Sequence, residues 1–253
     1  MTTDAVVALS PPAPPAPPAP PKPDFRRPLL AAIVVTGVIA LTARFVPKGA
    51  VATVVGLEFL LATWILVWRG DDAAVRASGL GFSGVLLREP IDLRRIAKDT
   101  ARALGLAFAV GALVFVPYYF GWRFWFHPKT SFFVYVRVAD TANMVFGQLL
   151  LVALPEEAFY RGYLLTAFDR VFSPRFRVRF LGADLGPGLL VVSTIFALGH
   201  FLTVPSPARL AVFFPALVFG WMRNRTGGVG ASVAFHALCN IFSETLGKGF
   251  AVY

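Results

Sequence analysis

The residues of this sequence that could do chemistry are ionisable groups and one amide placed inside long apolar stretches. They are Glu156, Glu157 and Arg161 in GQLLLVALPEEAFYRGYLL, His200 in STIFALGHFL, and His236 and Asn240 in ASVAFHALCNIF. A charged side chain at the centre of a bilayer costs roughly 2.5–3.5 kcal/mol on insertion scales. Each of these groups therefore needs a partner or a chemical role.

Helix geometry separates the two adjacent glutamates. Glu157 and Arg161 are four residues apart with the acid first, which is the favoured orientation for an ion pair on a helix. Glu156 points about 100° away from Glu157 and has no partner on its own helix. Such a carboxylate is suited to taking and giving protons. Pro155, just before the pair, is expected to loosen the helix at this point.

The histidines and the amide complete a site for hydrolysis. His236 and Asn240 share a helix face, and both can donate hydrogen bonds to one developing oxyanion. His200 is then available to orient a water molecule or to share its proton. The set predicts water attack on an amide bond without a metal or other cofactor. Two alternatives remain: the groups only hold helices together, or Glu156, His200 and His236 bind Zn²⁺.

Composition and hydropathy predict the kind of secondary structure that positions these groups. Apolar residues make up 57% of the 253 residues, charged residues make up 15%, and the mean hydropathy is +0.67. These values exclude a soluble globular enzyme, a disordered chain and a disulfide scaffold. They predict an all-α, polytopic transmembrane helix bundle. Hydropathy places about seven spans, at 28–46, 50–68, 101–121, 139–168, 187–204, 208–222 and 228–245.

Lys and Arg placement gives the expected topology. Residues 1–27 form a Pro-rich tail that is predicted to be disordered and cytoplasmic, because a run so rich in Pro forms neither helix nor sheet. With the N-terminus inside, sixteen Lys and Arg residues lie on the cytoplasmic side and seven on the opposite side. The predicted membrane domain is 28–253, with its core at about 139–245. The segment 71–98 is predicted to be an amphipathic linker near the membrane surface.

The net charge of +10 is explained by this topology, so no nucleic-acid partner is predicted. No G-x-x-x-x-G-K motif occurs, so no nucleotide is expected either. The expected partners are the lipid bilayer and membrane-anchored protein substrates. Arg outnumbers Lys 19 to 5, as in GC-rich bacterial genomes, so the expected location is the bacterial inner membrane.

Three motifs give a resemblance to a known family. They are E-E-x-x-x-R at Glu156, Glu157 and Arg161, F-x-x-x-H at Phe196 and His200, and H-x-x-x-N at His236 and Asn240. In this order, and in separate spans, they resemble the motifs of the CAAX prenyl protease and bacteriocin-processing family, also called CPBP or Abi. The resemblance covers roughly residues 140–245.

The resemblance implies an all-helical intramembrane endopeptidase. By analogy with the family, Glu156 would activate water with help from His200, and His236 and Asn240 would hold the oxyanion. The remaining motif residues, Glu157, Arg161 and Phe196, would support the site. The family is often labelled as metalloproteases, but a metal-free glutamic mechanism is favoured here.

A finer resemblance concerns the substrate. The stretches FYRGYLLTAFDR and SPRFRVRFLGADLGPG resemble the myxosortase-type branch, which is associated with removing C-terminal sorting tags from exported proteins. The function expected from it is removal of such a tag. The alternatives are a non-enzymatic scaffold or immunity protein and, more weakly, a transporter with a proton-coupled carboxylate.

Four further residues were weighed for a role in the site. Cys239 and Tyr160 are expected to serve in packing. Glu244 is expected to end its helix, although it could line the mouth of the site. For Glu58, an Arg partner and contact with the site both remain open.

Overall fold

The computed structural model describes residues 24–133, 138–172 and 176–252. Most of the predicted tail, residues 1–23, lies outside the described residues. The described chain is almost entirely helical, which confirms the all-α prediction. Its helices are α1 Arg26–Phe45, α2 Lys48–Thr63, α3 Asp72–Ala77, α4 Leu93–Phe126, α5 Val138–Phe146, α6 Leu154–Glu157, α7 Leu165–Val171, α8 Pro187–Thr203, α9 Phe213–Thr226 and α10 Gly230–Gly249.

Three of the described helices are long and apolar enough to cross a membrane: Arg26–Phe45, Lys48–Trp68, which is α2 with its π-helical end, and Leu93–Phe126. Many of their large apolar side chains point outward. Leu30 is 63% exposed and Leu113 is 77% exposed. Such faces suit contact with lipid rather than water. The prediction of a membrane protein therefore agrees with the structure at these three helices.

The other four predicted spans also coincide with helices, but the structure divides them differently. Pro187–Thr203 is apolar but shorter than the first three. The predicted span at 208–222 begins with a 3₁₀ helix, Pro207–Val212, before α9. Gly227, in the left-handed conformation at φ +73°, follows the end of α9, as is common at helix C-termini.

The helix that carries the two glutamates is continuous but irregular. Two π-helical stretches, Gly147–Ala153 and Ala158–Leu164, lie on either side of α6, and α5 and α7 extend it at the two ends. Pro155 lies in α6 and lacks the N–H that a regular helix would use. π-Helical turns often occur at functional sites. We call residues 138–171 the site helix.

α2 packs directly against the backbone of the site helix at Gly56. A Cβ atom added there would lie 2.5 Å from the carbonyl oxygen of Leu151 and 3.5 Å from Pro155 Cγ. Only glycine allows this approach, which is a common device where membrane helices meet. The irregular part of the site helix is therefore held from outside by a long apolar helix.

The segment 71–98, predicted to be a linker near the membrane surface, contains α3, a 3₁₀ turn at Phe82–Gly84, irregular chain and the start of α4. Leu80 is fully buried, and its side chain fills the space that a Cβ atom on Gly162 of the site helix would need. Burial of this leucine ties the linker to the core.

A short β-hairpin, which hydropathy did not predict, precedes α8. Strands β1 Val178–Phe180 and β2 Ala183–Leu185 pair antiparallel. Their two-residue turn, Leu181–Gly182, has positive φ at both positions, as a type I′ turn requires. The hairpin is tied to α9 because Trp221 Nε1 donates a hydrogen bond of 3.2 Å to the Phe180 carbonyl.

Candidate active site

The ion pair predicted on the site helix is present and fully buried. Arg161 Nη1 lies 2.9 Å from Glu157 Oε1, and the two side chains are 1% and 0% exposed. Arg161 Nη2 also donates to the carbonyl oxygen of Ala216, at 3.1 Å in α9. Its guanidinium lies over the rings of Phe196 and Phe219, at 4.5 and 5.0 Å from the ring centroids. Arg161 therefore joins the site helix to α8 and α9.

His236 of α10 binds the same carboxylate. Its Nδ1 lies 2.9 Å from Glu157 Oε1, and its ring stacks on Phe219 with the centroids 4.7 Å apart. Because an ionised carboxylate only accepts hydrogen bonds, we assign the Nδ1 hydrogen to this contact. His236 Nε2 therefore faces away from Glu157, toward Glu156.

Glu156 lies between the two imidazole rings. Its Oε2 atom is 3.9 Å from His200 Nε2 and 3.9 Å from His236 Nε2. This oxygen is buried and has no hydrogen-bond partner in the part of the chain that the structure describes. A separation of 3.9 Å is too long for a direct hydrogen bond, but it suits a water molecule about 2.8 Å from each atom.

His200 is oriented by the backbone of its own helix. Its Nδ1 lies 3.0 Å from the Phe196 carbonyl oxygen, so in the neutral ring Nδ1 donates and Nε2 accepts. The His200 side chain is 23% exposed, whereas those of Glu156 and His236 are 12% and 4% exposed. Within this trio, His200 is the most accessible group.

Asn240 lies one helical turn after His236, as its spacing predicts. Its Nδ2 donates to Gln148 Oε1 at 2.9 Å. Gln148, in the first π-helical stretch, was not singled out from the sequence. The available signal was another polar residue inside an apolar span.

The structure also shows the surroundings of the four further residues singled out from the sequence. Glu244 does not end its helix, because α10 continues to Gly249. Glu58 accepts a hydrogen bond of 2.5 Å from the Thr42 hydroxyl of α1, and within the described parts of the chain it has no Arg partner. Cys239 is partly buried and packs against the core, and Tyr160 is buried in it.

The fit of a metal ion was tested against these residues. Among the described residues, no group of three His, Cys, Asp or Glu side chains has the spacing to hold one. The trio of Glu156, His200 and His236 lies around the Glu156 Oε2 atom. These are the residues that would hold Zn²⁺ if it binds, and their donor types suit it.

Comparison with known families adds one finding. Residues 138–242 match the family model described as Type II CAAX prenyl endopeptidase Rce1-like. The resemblance to the CPBP family is confirmed. The matched segment contains all three motifs and spans about two fifths of the chain, whereas α1, α2 and α4 lie outside it. No curated protein and no solved structure matches the chain.

Proposed function

We propose that this protein is an intramembrane endopeptidase that hydrolyses a peptide bond in a membrane-anchored protein. The observation that supports this most directly is the buried oxygen of Glu156, at 3.9 Å from two imidazole nitrogens. The match to a CAAX prenyl endopeptidase family supports the same reaction class. The protein would lie in the bacterial inner membrane, with its N-terminus in the cytoplasm.

The proposed reaction begins with a water molecule held between Glu156 and His200. Glu156 takes one proton as the water oxygen attacks the scissile carbonyl carbon. The developing oxyanion is stabilised by the Asn240 amide and by His236 when its Nε2 carries a proton. The proton on Glu156 then passes to the leaving nitrogen as the C–N bond breaks, giving a new carboxyl group and a free amine.

No metal is needed for this route, so the proposal is a glutamic mechanism. Glu157 bonds both Arg161 and His236, and in this proposal it takes no part in proton transfer. If Zn²⁺ is bound, it would supply Lewis-acid activation of water at the same trio.

The proposed substrate is an exported protein from which a C-terminal sorting tag is removed. The resemblance of the segments around Arg161 and the hairpin to the myxosortase-type branch supports this choice. A tag of this kind would place the scissile bond close to the membrane, where the site helix carries Glu156.

The test compares protein C-termini in the native host. Membrane and surface proteins from cells carrying wild type, Glu156→Gln or Glu58→Gln are analysed by C-terminal proteomics at matched expression. Glu58→Gln makes the same chemical change in another helix, against Thr42 rather than the site. The proposal expects apolar C-terminal tails to persist only with Glu156→Gln. Loss of other cleavages would support the protease and reject the sorting tag.

The competing function is a non-enzymatic scaffold or immunity protein. The network of Glu157, Arg161 and His236 joins three helices, which is also what polar groups used for helix packing would do. This alternative predicts unchanged C-termini with Glu156→Gln, provided that the variant is folded and present in the membrane.

A further inference from the structure

A chain of polar side chains continues from Asn240 toward the C-terminal end of α10. Asn240 Nδ2 donates to Gln148 Oε1 at 2.9 Å, and Gln148 Nε2 donates to Glu244 Oε2 at 3.2 Å. Glu244 Oε1 in turn accepts from Lys248 Nζ at 2.5 Å. We call these four residues the amide relay. Of these four residues, Asn240 alone belongs to one of the three sequence motifs.

The relay has a direction, which the chemistry of its groups sets. Glu244, paired with Lys248, is an ionised carboxylate that only accepts hydrogen bonds. It therefore requires the NH₂ group of Gln148 on its side, which leaves the Gln148 oxygen toward Asn240. That oxygen in turn requires the NH₂ group of Asn240. Amide orientation is thus determined by the carboxylate and need not be assumed.

This direction matters for an oxyanion site. If the Asn240 oxygen took the place of its NH₂ group, it would repel the negative charge that develops on a reacting carbonyl beside that group. In the observed orientation, one N–H of Asn240 is used by Gln148 and the second remains for another acceptor. Donors that are already oriented are what stabilise a transition state.

We propose that Gln148 is a positioning residue, which holds the Asn240 amide so that its N–H faces the reacting carbonyl. The proposal rests on the proposed function, since it assigns a role within the same hydrolysis. Gln148 touches Asn240 rather than the reacting atoms, so it acts through that residue. Glu244 acts one step further away, by fixing the orientation of Gln148.

The first test is kinetic and uses the purified full-length protein in detergent. The probe is a membrane-anchored reporter carrying one C-terminal tail that stays uncleaved in cells with Glu156→Gln. Gln148→Leu is expected to lower kcat by about 10- to 100-fold with KM little changed, less than the roughly 10²–10³-fold expected for Asn240→Ala. Thr245→Val is the control on α10, because that hydroxyl bonds the Ile241 carbonyl of its own turn rather than a residue of the relay.

A double-mutant cycle separates positioning from a general structural effect. If Gln148 acts through Asn240, the double variant Gln148→Leu/Asn240→Ala is no slower than Asn240→Ala alone. Multiplied losses would overturn the proposal, because Gln148 would then act independently of Asn240. An unchanged kcat in Gln148→Leu would overturn it as well.

A swap of the two partners tests the direction of the relay. In Gln148→Glu/Glu244→Gln, a carboxylate at position 148 accepts from Asn240 and from the new amide at position 244. Charge and hydrogen-bond direction toward Asn240 are both kept, so kcat is expected within about threefold of wild type, well above Gln148→Leu. A swap variant that melts like wild type but stays as slow as Gln148→Leu contradicts the proposal.

The result for Glu156→Gln distinguishes failure of the positioning proposal from failure of the proposed function. If Glu156→Gln and Asn240→Ala abolish or slow cleavage while the tests of Gln148 fail, only the positioning role is rejected. If Glu156→Gln cleaves normally, the proposed function itself is rejected, and the relay has no reaction to serve.

Discussion

Glu156 and Glu157 are adjacent in the sequence, yet the two faces of the site helix give them opposite surroundings. Glu157 is completely buried, and one of its oxygens accepts from both Arg161 and His236 at 2.9 Å. Glu156 is 12% exposed, and its buried Oε2 atom lies 3.9 Å from each of two imidazole nitrogens without a direct hydrogen bond.

The difference shows how one helix can separate structure from chemistry. A carboxylate whose charge is matched by a buried guanidinium is fixed in place and stabilises the bundle. Both glutamates have an Oε2 atom without a hydrogen-bond partner among the described residues. That of Glu156 also lies 3.9 Å from two imidazole nitrogens, where it can hold and deprotonate a water molecule. One peptide bond and about 100° of helix rotation separate the two roles.

The largest expected effect comes from removing the charge of Glu156. Glu156→Gln is expected to lower the cleavage rate by roughly 10²–10⁴-fold, the usual contribution of a general base. Thermal unfolding in detergent should be nearly unchanged, since Glu156 makes no ion pair shorter than 3.9 Å with any described residue. Reporter cleavage and a melting curve on the same sample check both parts. Activity close to wild type would contradict the assignment.

Breaking the ion pair of Glu157 with Arg161 is expected to act on stability. Arg161→Met leaves Glu157 as a buried charge with His236 as its remaining partner, which costs about 3–5 kcal/mol of unfolding free energy. The double variant Glu157→Gln/Arg161→Met removes that charge and should recover part of the loss. Equal melting temperatures for wild type and Arg161→Met would show that the pair contributes little.

Substitutions of His236 and His200 should also differ in whether they lower stability as well as cleavage. His236 Nδ1 bonds Glu157 directly, so His236→Ala is expected to slow cleavage and also to lower stability by about 1–3 kcal/mol, because Glu157 loses a hydrogen bond. Among the described residues, the His200 ring hydrogen-bonds only the Phe196 carbonyl of its own helix and lies 3.9 Å from Glu156, so His200→Ala should slow cleavage with little change in melting. Equal stability losses in the two variants would remove the distinction.

The smallest expected effect is that of metal removal. A glutamic mechanism predicts that dialysis against EDTA and treatment with 1,10-phenanthroline leave cleavage within about twofold of the untreated rate. The measurement is reporter cleavage before and after chelation, with Zn²⁺ added back in a third sample. Loss of activity that Zn²⁺ restores would assign Glu156, His200 and His236 to metal binding.

Much of the site follows from spacing along single helices. The i, i+4 interval of Glu157 and Arg161 predicts their ion pair, and the same interval places Asn240 one turn after His236. The all-α architecture follows from composition. In each case the deciding contact lies within one helix or within a long apolar run, so local sequence carries the information.

Contacts between helices could not be predicted in the same way. Gln148 reaches Asn240 and Glu244 of α10 across a helix interface, and its direction depends on a π-helical stretch that breaks the regular 3.6-residue period. Burial of Leu80 depends on the space above Gly162, which no local pattern encodes. Hydropathy also has no means of finding a three-residue strand.

The most direct test of the account compares Glu156→Gln with Glu157→Gln in one preparation. Each removes one negative charge from neighbouring positions of the same helix, and each sample is assayed for reporter cleavage and for thermal unfolding. The account predicts that Glu156→Gln is inactive and melts like wild type, whereas Glu157→Gln melts at a lower temperature and keeps measurable cleavage. The reverse pattern, or identical behaviour of the two variants, would contradict it.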